Sequence, residues 1–374
     1  MPRHVVIANP ASKRWLAYEQ DWRSVWAQTT DPPELVLVPW ADVVARLGNL
    51  DGVAEFDQPA VVRLESPGRD ERVTRLLVAA GDTSVPNDAP LPKGLIWRPA
   101  ALYRGFARVQ VGLKESFAAR RHLVPTADPL ELAVMFDKTA TARRLTAVGV
   151  PVPEMLEPPA TAAGLLVAVA DSGWPRAYVK LNTGASATGM VVLHTAERPF
   201  GISTMVRLEG GFYSTRRLNR LSDAGLNAAL EFLLAEGAIV QRGIPMAQID
   251  GQNFDLRVVV LDGRPAFTVF RLSPHPMTNL HLGGGRGDWT ACRAAVPTRA
   301  WLDALDDAVA AAGCFDARMA GVDLVFERGS FRHFVLEVNA FGDFFPGYTD
   351  EAGRTVHQVQ IESLRAQLRE AGPL

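Results

Sequence analysis

Residues 321–326 read GVDLVF and residues 334–342 read FVLEVNAFG. Both are short apolar runs rich in β-branched residues, and the polar, glycine-containing stretch around 328–330 separates them at the distance of a hairpin turn. Side chains alternate across a strand, so Glu337 and Asn339, two residues apart, leave the same face, and the turn brings Asp323 beside them. An isolated acid on an edge strand is ordinarily solvated. Acids embedded in apolar strands need partners, and two carboxylates with a carboxamide form a set of hard oxygen donors. That set suits Mg²⁺, which is completed by waters and substrate phosphates. Asp323, Glu337 and Asn339 are therefore read as candidate metal ligands.

Towards the N-terminus, residues 254–272 read FDLRVVVLDGRPAFTVFRL, two β runs joined by Asp-Gly at 262 and 263, a strong hairpin signal. Asp255 and Arg257 alternate onto one face, and Arg271 ends the partner strand. A buried guanidinium requires a carboxylate or phosphate, so these arginines are candidate anion clamps, unless Arg257 simply pairs with Asp255. The following SPHPMTNLHLGGGRGD (273–288) offers Asn279 and the glycines 283–285 as a second close backbone approach, or as a surface loop. His275 and His281 are read as structural.

Two lysines precede this region. Lys138 lies in MFDKTATARRL near a helix start, and Lys180 ends the strand AYVKL just before NTGASATGM at 182–190. A loop of small residues, among them Thr183, Gly184 and Ser186, lets backbone N–H groups approach phosphate oxygens, with an ammonium as counter-charge. Taken alone this is weak, because such hairpin tips are more often merely mobile. The loop has neither the Walker nor the Rossmann glycine spacing.

The rest of the chain bounds the answer. Its 374 residues, 48% hydrophobic and 21% charged, have the balance of an ordinary globular protein of two or three domains. Lys plus Arg number 39 against 41 Asp plus Glu, so no overall basic field points to nucleic acid or an anionic membrane. Two cysteines, Cys292 and Cys314, are read as free thiols. No apolar run approaches a membrane span and no signal peptide is evident, so a cytoplasmic location is expected. The runs 4–9, 34–38 and 60–64 with a helical stretch at 14–28 read as a βαβ opening. Helix is expected over 101–123, from 129 to 149 through Asp137-Lys138, and over 299–312.

In order, the set is Lys138, Lys180 with its small-residue loop, VQRGI (240–244), DLRVVV (255–260), Arg271, NLHLGGG (279–285), GVDLVF and LEVNAFG. Over roughly residues 125–350 this order resembles the ATP-grasp superfamily, nearest its ribosomal-protein glutamate ligase and glutathione synthetase-like branches. The resemblance implies an α/β (α+β) fold: an N-terminal α/β domain (1–124), then a central subdomain with a phosphate lid loop (125–200) and a C-terminal subdomain with the metal site (201–374), clamping ATP between two sheets. It implies ATP and Mg²⁺ as cofactors, with Lys138, Lys180, Thr183, Gly184, Ser186, Gln241, Ile244 and Asp255 on the nucleotide. Arg271, Arg257 and Asn279 serve catalysis, and Asp323, Glu337 and Asn339 hold the metal. Where these families often carry Gln-Glu at the hinge, this chain has Gln241-Arg242, so the ribose loses its usual acid unless a residue such as Asp250 replaces it.

The implied activity is carboxylate–amine ligation through an acyl phosphate, with small-molecule or peptide carboxylates and amines as partners. A phosphotransferase acting on a hydroxyl is the enzyme alternative. A non-catalytic nucleotide-binding module is the other, and would be expected to have a broken metal triad. The loop 182–190 is expected to close over the phosphates, and Arg63, Glu65 and Arg69, after a strand end, either border the acceptor crevice or lie in a solvated loop. Free amino acid, peptide and carrier-bound acid all remain open as substrates. Homodimers, the commonest assembly of soluble enzymes, are the default expectation for the quaternary state.

Overall fold

The computed structural model describes residues 3–68, 70–86, 88, 90–184, 188–278, 282–343 and 345–370. Three sheets follow one another along the chain. The first is parallel, in the order β2-β1-β3-β4, built from β1 (Arg3–Ala8), β2 (Glu34–Pro39), β3 (Ala60–Leu64) and β4 (Leu123–Pro125). β1 and β3 are buried nearly end to end, as strands covered on both faces must be. The helix Lys13–Trp26, capped by Ser12 onto Trp15 N, packs Trp15, Tyr18 and Trp22 on one face of this sheet. Ile361, Leu364 and Leu368 from the C-terminal helices complete that cluster, so the end of the chain returns to the first domain.

The second sheet is antiparallel, in the order β5-β10-β6-β7-β8-β9. Its strands are β5 (Met155–Leu156), β6 (Arg176–Leu181), β7 (Met190–His194), β8 (Phe200–Leu208), β9 (Gly211–Ser222) and β10 (Ala238–Arg242). The expected boundary at residue 200 thus falls at the start of β8, inside a sheet that continues to Arg242. Helices Ala162–Asp171 and Asp223–Ala235 cover one face, against Ala177, Val179, Leu181, Val191 and Leu193. Alternation turns Tyr178 and Lys180 to the other face.

The third sheet runs β14-β13-β12-β15-β16, with β11 beside β12. Its strands are β11 (Gln248–Ile249), β12 (Gln252–Leu261), β13 (Arg264–Ser273), β14 (Gly285–Arg286), β15 (Met319–Phe326) and β16 (His333–Asn339). Asp262 and Gly263, at φ 49° and 73°, form the expected tight turn between β12 and β13. The helix Thr298–Gly313 buries Trp301, Ala304, Ala308 and Ala311 in the core that holds Leu256, Val258, Phe270, Val322 and Leu324. The same alternation leaves Asp255, Arg257 and Asp323 on the opposite face. The uncovered faces of the second and third sheets meet, with Tyr178 Oη donating to Pro276 O at 2.6 Å and Met277 clustering with Val192.

The helical stretch expected from 129 to 149 is two helices, Pro129–Phe136 and Lys138–Ala147. Asp137 ends the first and caps the second, its Oδ1 accepting from Ala140 N at 2.8 Å. An aspartate N-cap needs extended backbone, so the break belongs to the residue before Lys138. Among the described residues no helix is long and apolar enough to cross a membrane.

The helix Pro99–Ala119 approaches the helix Glu71–Gly81 at backbone contact, and a Cβ on Gly105 would lie 1.8 Å from Leu77 O. Gly105→Ala must force the pair apart and is expected to lower stability by about 2–3 kcal/mol. Urea denaturation measures it, and a loss below about 0.5 kcal/mol would show that the crossing is not as tight as described.

Candidate active site

The strand register sets the site. Arg271 stands opposite Asp255, Arg257 opposite Asp323, and Asp323 opposite Glu337. Directly opposed residues share a face, so four strands present one ionic row. Arg271 donates to Asp255 through Nε at 2.7 Å and Nη2 at 2.6 Å, and Thr278 Oγ1 donates to the same carboxylate. Arg271 Nη2 is also 3.2 Å from Asp323 Oδ1. Arg257 grips Asp323 with Nε and with Nη2 at 2.8 Å, and its Nη1 lies 3.5 Å from Asp343 Oδ2. The simple pairing of Arg257 with its neighbour Asp255 does not occur, because the two partners lie on opposite neighbouring strands.

Asp323 is 4% exposed. Burial alone would raise its pKa, yet Arg257 and Arg271 outweigh burial and hold it below the usual carboxylate range. Burial likewise opposes the charge of Arg271, and Asp255 and Asp323 overcome it. Asn339 Nδ2 donates to Gly321 O at 3.2 Å, which leaves its amide oxygen as the remaining donor atom. Glu337 is the more open carboxylate, its side chain 28% exposed, with Lys138 Nζ 3.7 Å from Oε2.

Above this row stand the two lysines. Lys138 Nζ donates to Gly184 O, so the loop after β6 is already drawn onto this lysine. Asn182, the first residue of the loop, is clamped from both sides: Oδ1 accepts from Thr139 N at 2.8 Å, Nδ2 donates to Asp137 Oδ1 at 2.9 Å, and its carbonyl accepts from Lys138 N. Lys180 is half-buried between the sheets. Burial lowers its pKa to about 8, while Glu337 and Asp323 pull upward and Lys138 pushes down. Gln241 is buried opposite Tyr178 in the β10–β6 pairing, and Ile244 packs with Met246, Val325, Phe334 and Leu336. Both therefore sit at the hinge, apart from the charged row. Thr183 lies in the turn that follows β6. Ser186, Asn279 and His281, with Arg69, lie outside the described residues, as do positions 185 and 187 of the loop.

No protein-family model matches the chain, and no curated protein does. Solved structures do. The ATP-grasp ligase PsnB complexed with a minimal precursor aligns with a TM-score of 0.55 at 15% identity, covering 98% of this chain and all of that one. D-cycloserine synthetase DcsG aligns at 0.55 and 14% identity, covering 97% and 99%. D-alanine–D-alanine ligase from Bacillus anthracis, complexed with ATP, aligns at 0.53 and 13% identity, covering 100% and 99%. This chain has the ATP-grasp fold.

In the ATP-grasp arrangement of this chain, Arg242 stands where the resemblance leads one to expect an acid. It pairs with Glu154 at 2.6 Å and reaches Glu327 at 3.6 Å, in the turn between β15 and β16, and so bridges the hinge. Asp250 adopts φ 49° in the turn between β11 and β12. Asp343, Thr278 and Asn182 contribute to the site without having been singled out in the sequence. Asn182 alone carried a signal, as the polar residue directly after the lysine-bearing strand.

Lys180 makes a prediction about pH. Its folded value near 8 lies below the ordinary 10.5, so as pH rises the folded chain releases this proton first. Between about 8 and 10.5 the unfolded chain binds more protons, and stability rises with pH, by at most about 3 kcal/mol. Denaturation of wild type and Lys180→Met at pH 7.5 and 9.5 should show the gap between them shifting in favour of wild type. Parallel profiles would contradict the burial of a charged lysine here.

Proposed function

We propose that the chain is an ADP-forming carboxylate–amine ligase that uses ATP and Mg²⁺. The observation that carries this reading is the convergence, on facing sheets, of two lysines, two arginines and the oxygen set Asp323, Glu337 and Asn339. Among the described residues no three His, Cys, Asp or Glu side chains form a metal cluster, and the proposed set is instead two carboxylates and one carboxamide. It fits a hard cation: Glu337 is open to the cleft, and the bond to Gly321 O orients the Asn339 amide with its oxygen outward. Asp323 joins through lone pairs it shares with the arginines.

Bound Mg²⁺ supplies charge neutralisation on the phosphate oxygens. Lys180 from the opposite sheet and Lys138 at its helix start hold the nucleotide phosphates, and the Gly184 carbonyl is displaced from Lys138 as they arrive. Arg271, fixed in orientation by Asp255, presents its guanidinium to the phosphoryl group as a substrate carboxylate attacks it. Arg257 keeps Asp323 ionised. The resulting acyl phosphate is sheltered between the sheets until an amine displaces phosphate. No covalent bond to the protein is needed. Gln241 and Ile244 border the nucleotide base at the hinge, with Thr183 and Gly184 over the phosphates. A cytoplasmic enzyme acting on amino acids or peptides fits this chemistry.

Hydroxylamine tests the reaction class. With ATP, Mg²⁺ and a panel of amino acids and peptides, the accepted carboxylate should yield hydroxamate in proportion to ADP. A stable phosphate ester without hydroxamate would make the chain a phosphotransferase instead. Glu337→Gln is expected to keep the wild-type circular dichroism while losing about two orders of magnitude or more in ADP release, and wild-type Mg²⁺-dependent turnover in that variant would remove Glu337 from the metal site.

A further inference from the structure

The first domain reaches the strand that carries Glu337 and Asn339 through Arg14. This residue lies in the first turn of the helix Lys13–Trp26, and its Nη2 donates at 2.6 Å to the carbonyl of Phe341, 327 residues further along the chain. Phe341 stands two residues beyond Asn339. Resting on the metal assignment made above, we propose that Arg14 is a positioning residue of that site, holding the turn 339–343 so that the Asn339 oxygen stays aimed at the cation.

The turn is tight and lies close against β15. Gly342 adopts φ 55°, a region that favours glycine, and its N–H donates to Asn339 O at 3.1 Å. A Cβ on Gly321, which stands opposite Asn339, would lie 3.1 Å from Gly342 Cα. Three contacts then fix the segment. Asn339 Nδ2 donates to Gly321 O, Asp343 Oδ2 lies 3.5 Å from Arg257 Nη1, and Arg14 holds the Phe341 carbonyl between them. The first two partners belong to the third sheet, and the last comes from the first domain.

Arg14 is itself held in place. Its Nε donates to Glu65 Oε1 at 2.6 Å, the same oxygen accepts from Ser66 N at 2.7 Å, and Arg63 Nη2 donates to Oε2 at 2.7 Å. Arg63 and Glu65 are buried, so they neither lie in a solvated loop nor line an open crevice. Burial opposes the charge of Glu65, and Arg14 and Arg63 outweigh it, holding the carboxyl below the usual range. The Glu65 backbone is pinned too, its N–H donating to Ile7 O at 3.0 Å and its carbonyl accepting from Trp40 Nε1 at 2.8 Å. An arginine whose fork is fixed by a buried carboxylate has little freedom to follow a moving carbonyl. The turn after Asn339 is therefore referenced to the core of the first domain.

Mn²⁺, which accepts the same oxygen donors as Mg²⁺, is the probe. Electron paramagnetic resonance of free Mn²⁺ reads its affinity for the full chain, with the chain in excess of ADP so that no nucleotide stays free. Arg14→Gln should weaken Mn²⁺ binding about tenfold, the lower end for groups that orient metal ligands, while metal-free ADP affinity by titration calorimetry changes less than twofold. Arg14→Lys keeps a charged donor and should lose less, and it serves if Arg14→Gln does not fold. In an Asn339→Ala background Arg14→Gln should add little further loss, because the two act as one unit. Unchanged Mn²⁺ affinity in Arg14→Gln, an equal loss of metal-free ADP affinity, or full additivity with Asn339→Ala would each overturn the positioning role and leave the metal site standing. A wild-type chain that holds no Mn²⁺ with ADP would overturn both.

Discussion

Asp323 is held between two guanidinium groups, and the cleft is organised around that contact. A carboxylate so buried is costly unless its partners are well placed, and the same holds for the arginines. The register of β12, β13, β15 and β16 meets this demand by putting Asp255, Arg271, Arg257, Asp323 and Glu337 on one face. Each charge thereby locks the next. The consequence for chemistry is preorganisation: Arg271 is aimed by Asp255 before any substrate arrives, and Asp323 stays ionised because two cations face it.

The two sheets divide the work. The third contributes the rigid ionic row, backed by a core of Leu256, Val258, Phe270 and Trp301. The second contributes Lys180 at a strand end, while Lys138 starts a helix that packs Leu145 into the core behind the third. Asn182 couples them, since it touches Asp137, Thr139 and Lys138 while beginning the loop after Lys180. Lys180 tolerates burial because Glu337 and Asp323 lie across the gap. The opposite faces are thus electrically matched, with cations on one and the open carboxylate on the other. Arg242 ties the sheets at their hinge through Glu154 and Glu327.

Much of this was legible in the residues. Period-two alternation placed Asp255 with Arg257 and Glu337 with Asn339, and the Asp-Gly turn and the small-residue loop marked two hairpins correctly. Asp323 beside Glu337 followed from the turn between their strands. What alternation cannot say is which strands neighbour each other. β12 lies between β13 and β15, and at Arg257 the first offers Val269 while the second offers Asp323, so the partner of Arg257 is Asp323, 66 residues away, and not the adjacent Asp255. The second sheet also ran past residue 200, because β10 returns to pair with β6 after a long hairpin and a helix. Asp343 and Thr278 lay in loops, where no periodicity marks a functional side chain. The capping role of Asp137 was hidden inside an otherwise continuous helical pattern.

Positional isotope exchange reads the proposed chemistry at its first step. ATP labelled with ¹⁸O at the β-nonbridging positions, incubated with the chain, Mg²⁺ and its carboxylate but no amine, should scramble label into the β–γ bridge, because reversible phosphoryl transfer to the carboxylate frees the β-phosphate to rotate. Scrambling should vanish when the carboxylate is omitted. Absence of scrambling under all these conditions, while ADP still forms with the complete substrate set, would contradict activation of a carboxylate at this site.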